Sequence, residues 1–108
     1  MPKYNIRKLQ EKHQKALLNE FYQAVASLES KKEVEKFFTD LLDLNEIAML
    51  SRRLLAAEKL YKKETFDKIS EELKMGKDTI AKVNHWLNEG EGYKLVVKRL
   101  KQSKNKRK

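Results

Sequence analysis

An all-α fold of six helices with a helix-turn-helix is what this chain predicts, on three observations. Helix breakers are scarce: the 108 residues include three glycines (Gly76, Gly90, Gly92) and one proline, Pro2. Leu, Lys, Glu and Ala, all good helix formers, are frequent. Apolar residues recur at helical spacing, and over residues 65–88 that spacing is broken once, by a turn short enough to join two helices.

The first helix is expected over about 6–28, where Leu17, Leu18, Phe21, Tyr22, Val25 and Leu28 form an apolar stripe. Ser30 opens the second. With Glu33 three residues later it forms a capping box, hydroxyl and carboxylate each satisfying an orphan backbone donor. Val34, Phe37, Phe38, Leu41 and Leu42 make the apolar face of this helix. Asp43 with Glu46 repeats the cap for a third helix carrying Ile47, Leu50, Leu54, Ala57 and Tyr61. Thr65 caps the fourth, on which Ile69 and Leu73 lie four apart. Met75 and Gly76 form the bend, and Ile80, Val83 and Leu87 mark the inner stripe of the fifth helix. Many helix-turn-helix motifs place glycine where Lys74 stands, to allow a positive φ. Either Lys74 is strained, then, or Gly76 reshapes the turn. Gly90-Glu91-Gly92 separates a short sixth helix with Tyr93, Val96, Val97 and Leu100. The chain reads as one helical domain over 1–100: dimerisation helices at 6–42, a core helix at 44–63, the helix-turn-helix at 65–88 and a C-terminal helix at 93–100. Residues 101–108 read as a disordered basic tail.

Composition excludes several classes. There is no cysteine, so disulfides and thiolate metal sites are ruled out and a reducing cytoplasm suits the chain. His13 and His85 have no second ligand at a useful spacing, so no metal or other cofactor is expected. No apolar run reaches the roughly 20 residues of a membrane span. No carboxylate pair combines with a histidine, a phosphate loop or a nucleophile motif, so no catalytic residues and no enzyme are expected. Of the net charge of +9, residues 98–108 contribute seven basic groups and no acid, leaving the body at +2.

The inner stripe of the fifth helix leaves Lys77, Asp78, Ala81, Lys82 and His85 on the outer side, the arrangement of a helix that enters the DNA major groove. Lys77 and Lys82 are candidates for phosphate positioning or, more specifically, guanine contact. Thr79 is a candidate for a base edge or phosphate, and His85 for phosphate. Arg52 and Arg53, with Lys59, Lys62 and Lys63 against Glu58, form a second basic cluster that suits phosphate as well as it suits a solvated helix face. Trp86 suits stacking on a base or ligand, or packing beside Leu87. The first two helices carry more apolar surface than one helix-turn-helix can cover, which argues for a homodimer. Two-fold symmetry would set two recognition helices about 34 Å apart.

Three stretches carry a resemblance: LNEIAMLSRRLLAAEKL at 44–60, TFDKISEELKMGKDTIAKVNHWL at 65–87 and NEGEGYKLVVKRL at 88–100. They resemble the Trp repressor family of bacterial transcription regulators, in particular its YerC/YecD-like branch, and TIAKVNHWLNEGEGY is the most specific part. The resemblance implies an intertwined all-α homodimer of six helices whose fourth and fifth helices bind double-stranded DNA. It also implies a place for a corepressor. Tryptophan-responsive members sandwich the indole between two arginines, which fall on Arg53 (or Arg52) and on Lys82 here. Lysine lacks the planar guanidinium that stacks on a ring. A glycine beside the ligand becomes Val83, and a nearby serine becomes Trp86. Arg53, Lys82, Val83 and Trp86 are thus expected to form a vestigial ligand pocket that takes no tryptophan, with any other effector unknown. The expected protein is a sequence-specific, dimeric transcriptional regulator, a repressor of cytoplasmic, nucleoid-associated location. The alternative is a helical interaction module whose basic tail binds RNA or an acidic protein.

Overall fold

A computed structural model describes residues 5–106, with side chains as far as Ser103. All of its elements are helical. A short 3-10 turn at Ile6–Lys8 precedes α1 (Glu11–Ala26), α2 (Lys31–Leu41), α3 (Leu44–Tyr61), α4 (Phe66–Leu73), α5 (Lys77–Glu89) and α6 (Gly92–Lys106). The chain divides into two compact units, Met1–Asp43 and Leu44–Lys108. Among the described residues no helix is long and apolar enough to cross a membrane.

In the first unit the single helix expected over 6–28 is broken. Asn5 Oδ1 accepts from the Arg7 N–H and starts the 3-10 turn. Leu9 and Gln10 are extended. Gln14 Nε2 donates to Leu9 O at 2.8 Å, which holds the break. Ser30 caps α2 as expected, accepting from the Glu33 N–H at 3.1 Å. The reciprocal half of the box lies one residue earlier: Glu33 Oε1 accepts from the Glu29 N–H at 2.8 Å. Phe21 and Phe37 lie with ring centroids 6.5 Å apart, and Phe37 meets Phe38 edge-on at 5.4 Å. No described residue of the 3-10 turn, α1 or α2 is buried.

The second unit holds the core. Ala56, Ala57 and Leu60 of α3, Ile69 of α4, Met75 of the turn, Ile80, Val83 and Leu87 of α5 and Val97 of α6 are buried together. Ile69 and Ile80 are fully buried, each stabilising the unit by roughly 1.5–3 kcal/mol. Ala56 and Ala57 are fully covered as well, and their small side chains let neighbouring helices approach α3 closely. The chain leaves α3 through Lys63 in the left-handed region, φ 70°. That conformation costs a non-glycine residue roughly 1–2 kcal/mol. The Lys63 and Glu64 N–H groups offset part of it by bonding Leu60 O and Lys59 O at 3.0 and 3.1 Å. The last helix is longer than expected. It runs to Lys106, so residues 101–106 continue α6 where the sequence predicts a disordered tail. This segment has no glycine or proline to stop a helix. The rest of the expected tail, residues 107 and 108, lies outside the described residues.

Candidate functional site

The site is built on α4, the turn after it, and α5. Thr65 caps α4, its hydroxyl accepting from the Lys68 N–H at 3.2 Å. The helix ends at Lys74, which adopts the left-handed conformation at φ 51°, ψ 50°. Gly76 is an ordinary extended residue at φ −64°, ψ 145°, with open space where a Cβ would stand. The turn is therefore made by Lys74, and Gly76 does not reshape it. Ser70 ties it locally: its carbonyl accepts from the Met75 N–H at 3.3 Å and its hydroxyl donates to Met75 O at 2.8 Å.

α5 presents the two faces that its spacing predicts. Ile80, Val83 and Leu87 are buried, while Lys77, Asp78, Ala81, Lys82 and His85 are exposed. Lys77 pairs with Asp67 of the first turn of α4, so one of the two phosphate candidates has an acidic neighbour across the motif. Gly76 offers no side chain to cap α5. Thr79 is half-buried, between exposed Asp78 and buried Ile80.

The two adjacent arginines of α3 do different things. Arg52 is half-buried and donates to the turn: Nη2 to Leu73 O at 2.7 Å and Lys74 O at 2.5 Å, and Nε to Leu73 O at 3.2 Å. The sequence offers Arg52 to phosphate or to a solvated helix face; in the structure these backbone carbonyls engage its guanidinium. Arg53 is exposed and lines a cavity of about 310 Å³ with Thr79, Lys82, Val83, Trp86 and Tyr93. The four residues expected to form a vestigial pocket, Arg53, Lys82, Val83 and Trp86, are thus brought together. Thr79 and Tyr93 join them, which spacing within one helix does not reveal for Tyr93, six residues past the end of the stripe. Trp86 is 59% exposed and meets the His85 ring edge-on at 4.9 Å, so it is not an interior packing anchor of the second unit.

The remaining basic cluster is partly neutralised. Lys59 Nζ donates to Glu72 Oε2 at 2.5 Å and lies 3.7 Å from Glu64, bracing the end of α3 against α4. The hydrogen bond to Glu72 holds the Lys59 ammonium above its usual pKa, against a smaller opposing effect of burial. The same bond holds the Glu72 carboxyl below its usual value. Lys62 and Lys63 are exposed.

Comparison with known proteins gives a consistent result. The family model described as Trp repressor protein matches residues 16–101. The uncharacterized protein YerC of Bacillus subtilis (strain 168) is 33% identical over 87 residues, covering 80% of this chain and 84% of its own length. The crystal structure of a TrpR like protein from Eubacterium eligens ATCC 27750 superposes with a TM-score of 0.72 at 36% identity, covering 79% of this chain and 89% of that one. A Trp repressor candidate from Staphylococcus aureus gives a TM-score of 0.73 at 32% identity, with 92% and 96% of the two chains covered.

Proposed function

This chain belongs to the Trp repressor family, whose members are DNA-binding transcription regulators and not enzymes, and on that premise we propose that it is a sequence-specific repressor acting as a homodimer through α4 and α5. The observation that carries the reading is the division of α5: a buried stripe of Ile80, Val83 and Leu87 behind an exposed row of Lys77, Lys82 and His85. A helix anchored on one side and cationic on the other suits a major groove, with phosphates positioning it and base edges specifying it. Lys77, Lys82 and His85 are the groove-facing residues, with Thr79 at their inner edge. Arg53 supplies a phosphate contact from α3.

Tryptophan is not the corepressor in this reading. Lys82 and Trp86 line the space that the family resemblance gives to an indole, and a lysine does not stack on a ring as a guanidinium does. The homodimer is supported by the first unit, in which Leu17, Leu18, Phe21, Tyr22, Val34 and Leu41 are all exposed. Burying several such side chains is worth roughly 1.5–3 kcal/mol each.

Selection of bound sequences from a random duplex library, at two salt concentrations and with and without tryptophan, tests the reading. An enriched palindrome with half-sites about one helical turn apart is expected, unchanged by tryptophan. In a follow-up on that palindrome, Lys82→Ala is expected to weaken its binding well beyond the loss on random DNA. A featureless pool whose binding collapses with salt would instead mean counterion release alone.

A further inference from the structure

The turn between α4 and α5 has a support that comes from neither helix. The C-terminus of α4 leaves backbone carbonyls without helical partners, and the negative end of the helix dipole lies there. Arg52, projecting from the middle of α3, satisfies two of them, Leu73 O and Lys74 O, with three hydrogen bonds between 2.5 and 3.2 Å. Lys74 is the residue held left-handed at this point, a conformation in which glycine is free of the cost that a side chain brings. A turn made on a non-glycine residue is helped by an external clamp, and the planar fork of a guanidinium matches a pair of carbonyls as an ammonium does not.

We propose that Arg52 is a positioning residue for DNA recognition: by clamping Leu73 O and Lys74 O it sets the turn, and through the turn the presentation of Lys77 and Lys82 on α5. The inference rests on the reading of α5 as the recognition helix. It separates the two adjacent arginines, Arg52 holding the motif and Arg53 remaining exposed beside Lys82. A guanidinium already engaged by two carbonyls is a geometric device, so the fork matters as well as the charge.

The test uses the full chain with Arg52→Lys, Arg52→Gln and the double variant Arg52→Lys, Lys74→Gly. Three quantities are read: affinity for the selected duplex relative to random duplex, the salt dependence of each, and amide exchange at Lys74 and Met75 referenced to Ala57. Arg52→Lys is expected to lower the selected-to-random ratio about tenfold with affinity for random DNA and its salt slope unchanged. Exchange at Lys74 and Met75 rises in the same variant. Lys74→Gly restores the ratio, because glycine holds the turn without the clamp.

An undiminished ratio in Arg52→Lys overturns the inference while the DNA-reading proposal stands. So does a uniform loss in Arg52→Gln on both duplexes with the salt slope reduced by about one, which is the mark of a phosphate contact. A wild-type chain with no sequence preference sinks the proposed function itself. Unchanged exchange at Lys74 and Met75 then also removes the clamp. Should Arg52→Lys fail to fold, the double variant decides: a folded, sequence-selective double variant supports the clamp, and an unfolded one overturns it.

Discussion

At Gly90 a single methyl group would cost more than anywhere else among the described glycines. A Cβ there would stand 2.8 Å from Trp86 O, the acceptor of the Gly90 N–H at 2.9 Å. The φ of −93° is available to any residue, so the demand is close approach and not backbone freedom. Gly90→Ala is expected to destabilise the second unit by about 1–3 kcal/mol, seen as a lowered melting temperature. Gly76→Ala is the contrast. Space is open there, and the entropy removed from the unfolded chain offsets the poorer helix cap, so a change within about 1 kcal/mol is expected. Equal losses for the two variants would show that the Trp86 carbonyl is not the constraint.

Helices α3 and α4 are braced by charge. Lys59 bridges Glu72 and Glu64, and Lys68 lies 3.7 Å from Glu64 and 4.0 Å from Glu72. Glu64 Oε1 is buried, receives no hydrogen bond from the described residues, and lies 3.7 Å from each of the two ammoniums. The hydrogen bond with Lys59 lowers the pKa of Glu72, so its contribution is present above the ordinary carboxylate range and lost as pH falls through the lowered value. The raised pKa of Lys59 works in the opposite direction: its contribution is present below the ordinary lysine value and lost only as pH rises through the raised one. At neutral pH both are in force. The melting temperature of Glu72→Gln is expected to lie below wild type by a constant margin between about pH 6 and 8, and the margin to close below about pH 4. High salt should narrow the margin as well, since much of the network is accessible to solvent. A margin independent of both pH and salt would assign the effect to packing.

For the molecule as a whole, the contrast between the two units matters most. Among the described residues the second has a core of nine buried apolar residues, whereas α1 and α2 contribute none. The apolar side chains left exposed on α1 and α2 are what the proposed dimer would use as its interaction face. In the proposed dimer a second copy covers it, which gives a direct prediction. Sedimentation of the wild-type chain is expected to yield a dimer, and Leu41→Asp, at an exposed apolar position, to shift it toward monomer. A monomeric variant loses the second half-site, so its affinity for a palindromic duplex falls by more than tenfold, while affinity for random DNA falls much less. A wild-type monomer with full palindrome affinity would remove the dimer from the proposal.

The helices, the Ser30 and Thr65 caps and the two faces of α5 are legible in the sequence, because each depends on residues three or four apart that meet on one turn of helix. Even the family could be read from 44–100, since the motif is largely local. Apart from the length of α6, the misreadings have a common origin in contacts that spacing does not encode. The break after Lys8 depends on Gln14 reaching back to Leu9 O, and α6 continues past residue 100 because nothing in its sequence stops it. Lys74 and Gly76 were equally eligible to make the turn, and Arg52 and Arg53 equally eligible for phosphate. Tertiary structure alone separates each pair, because the Arg52 acceptors lie 21 and 22 residues away and one helical residue of rotation, about 100°, turns Arg53 to a different neighbourhood.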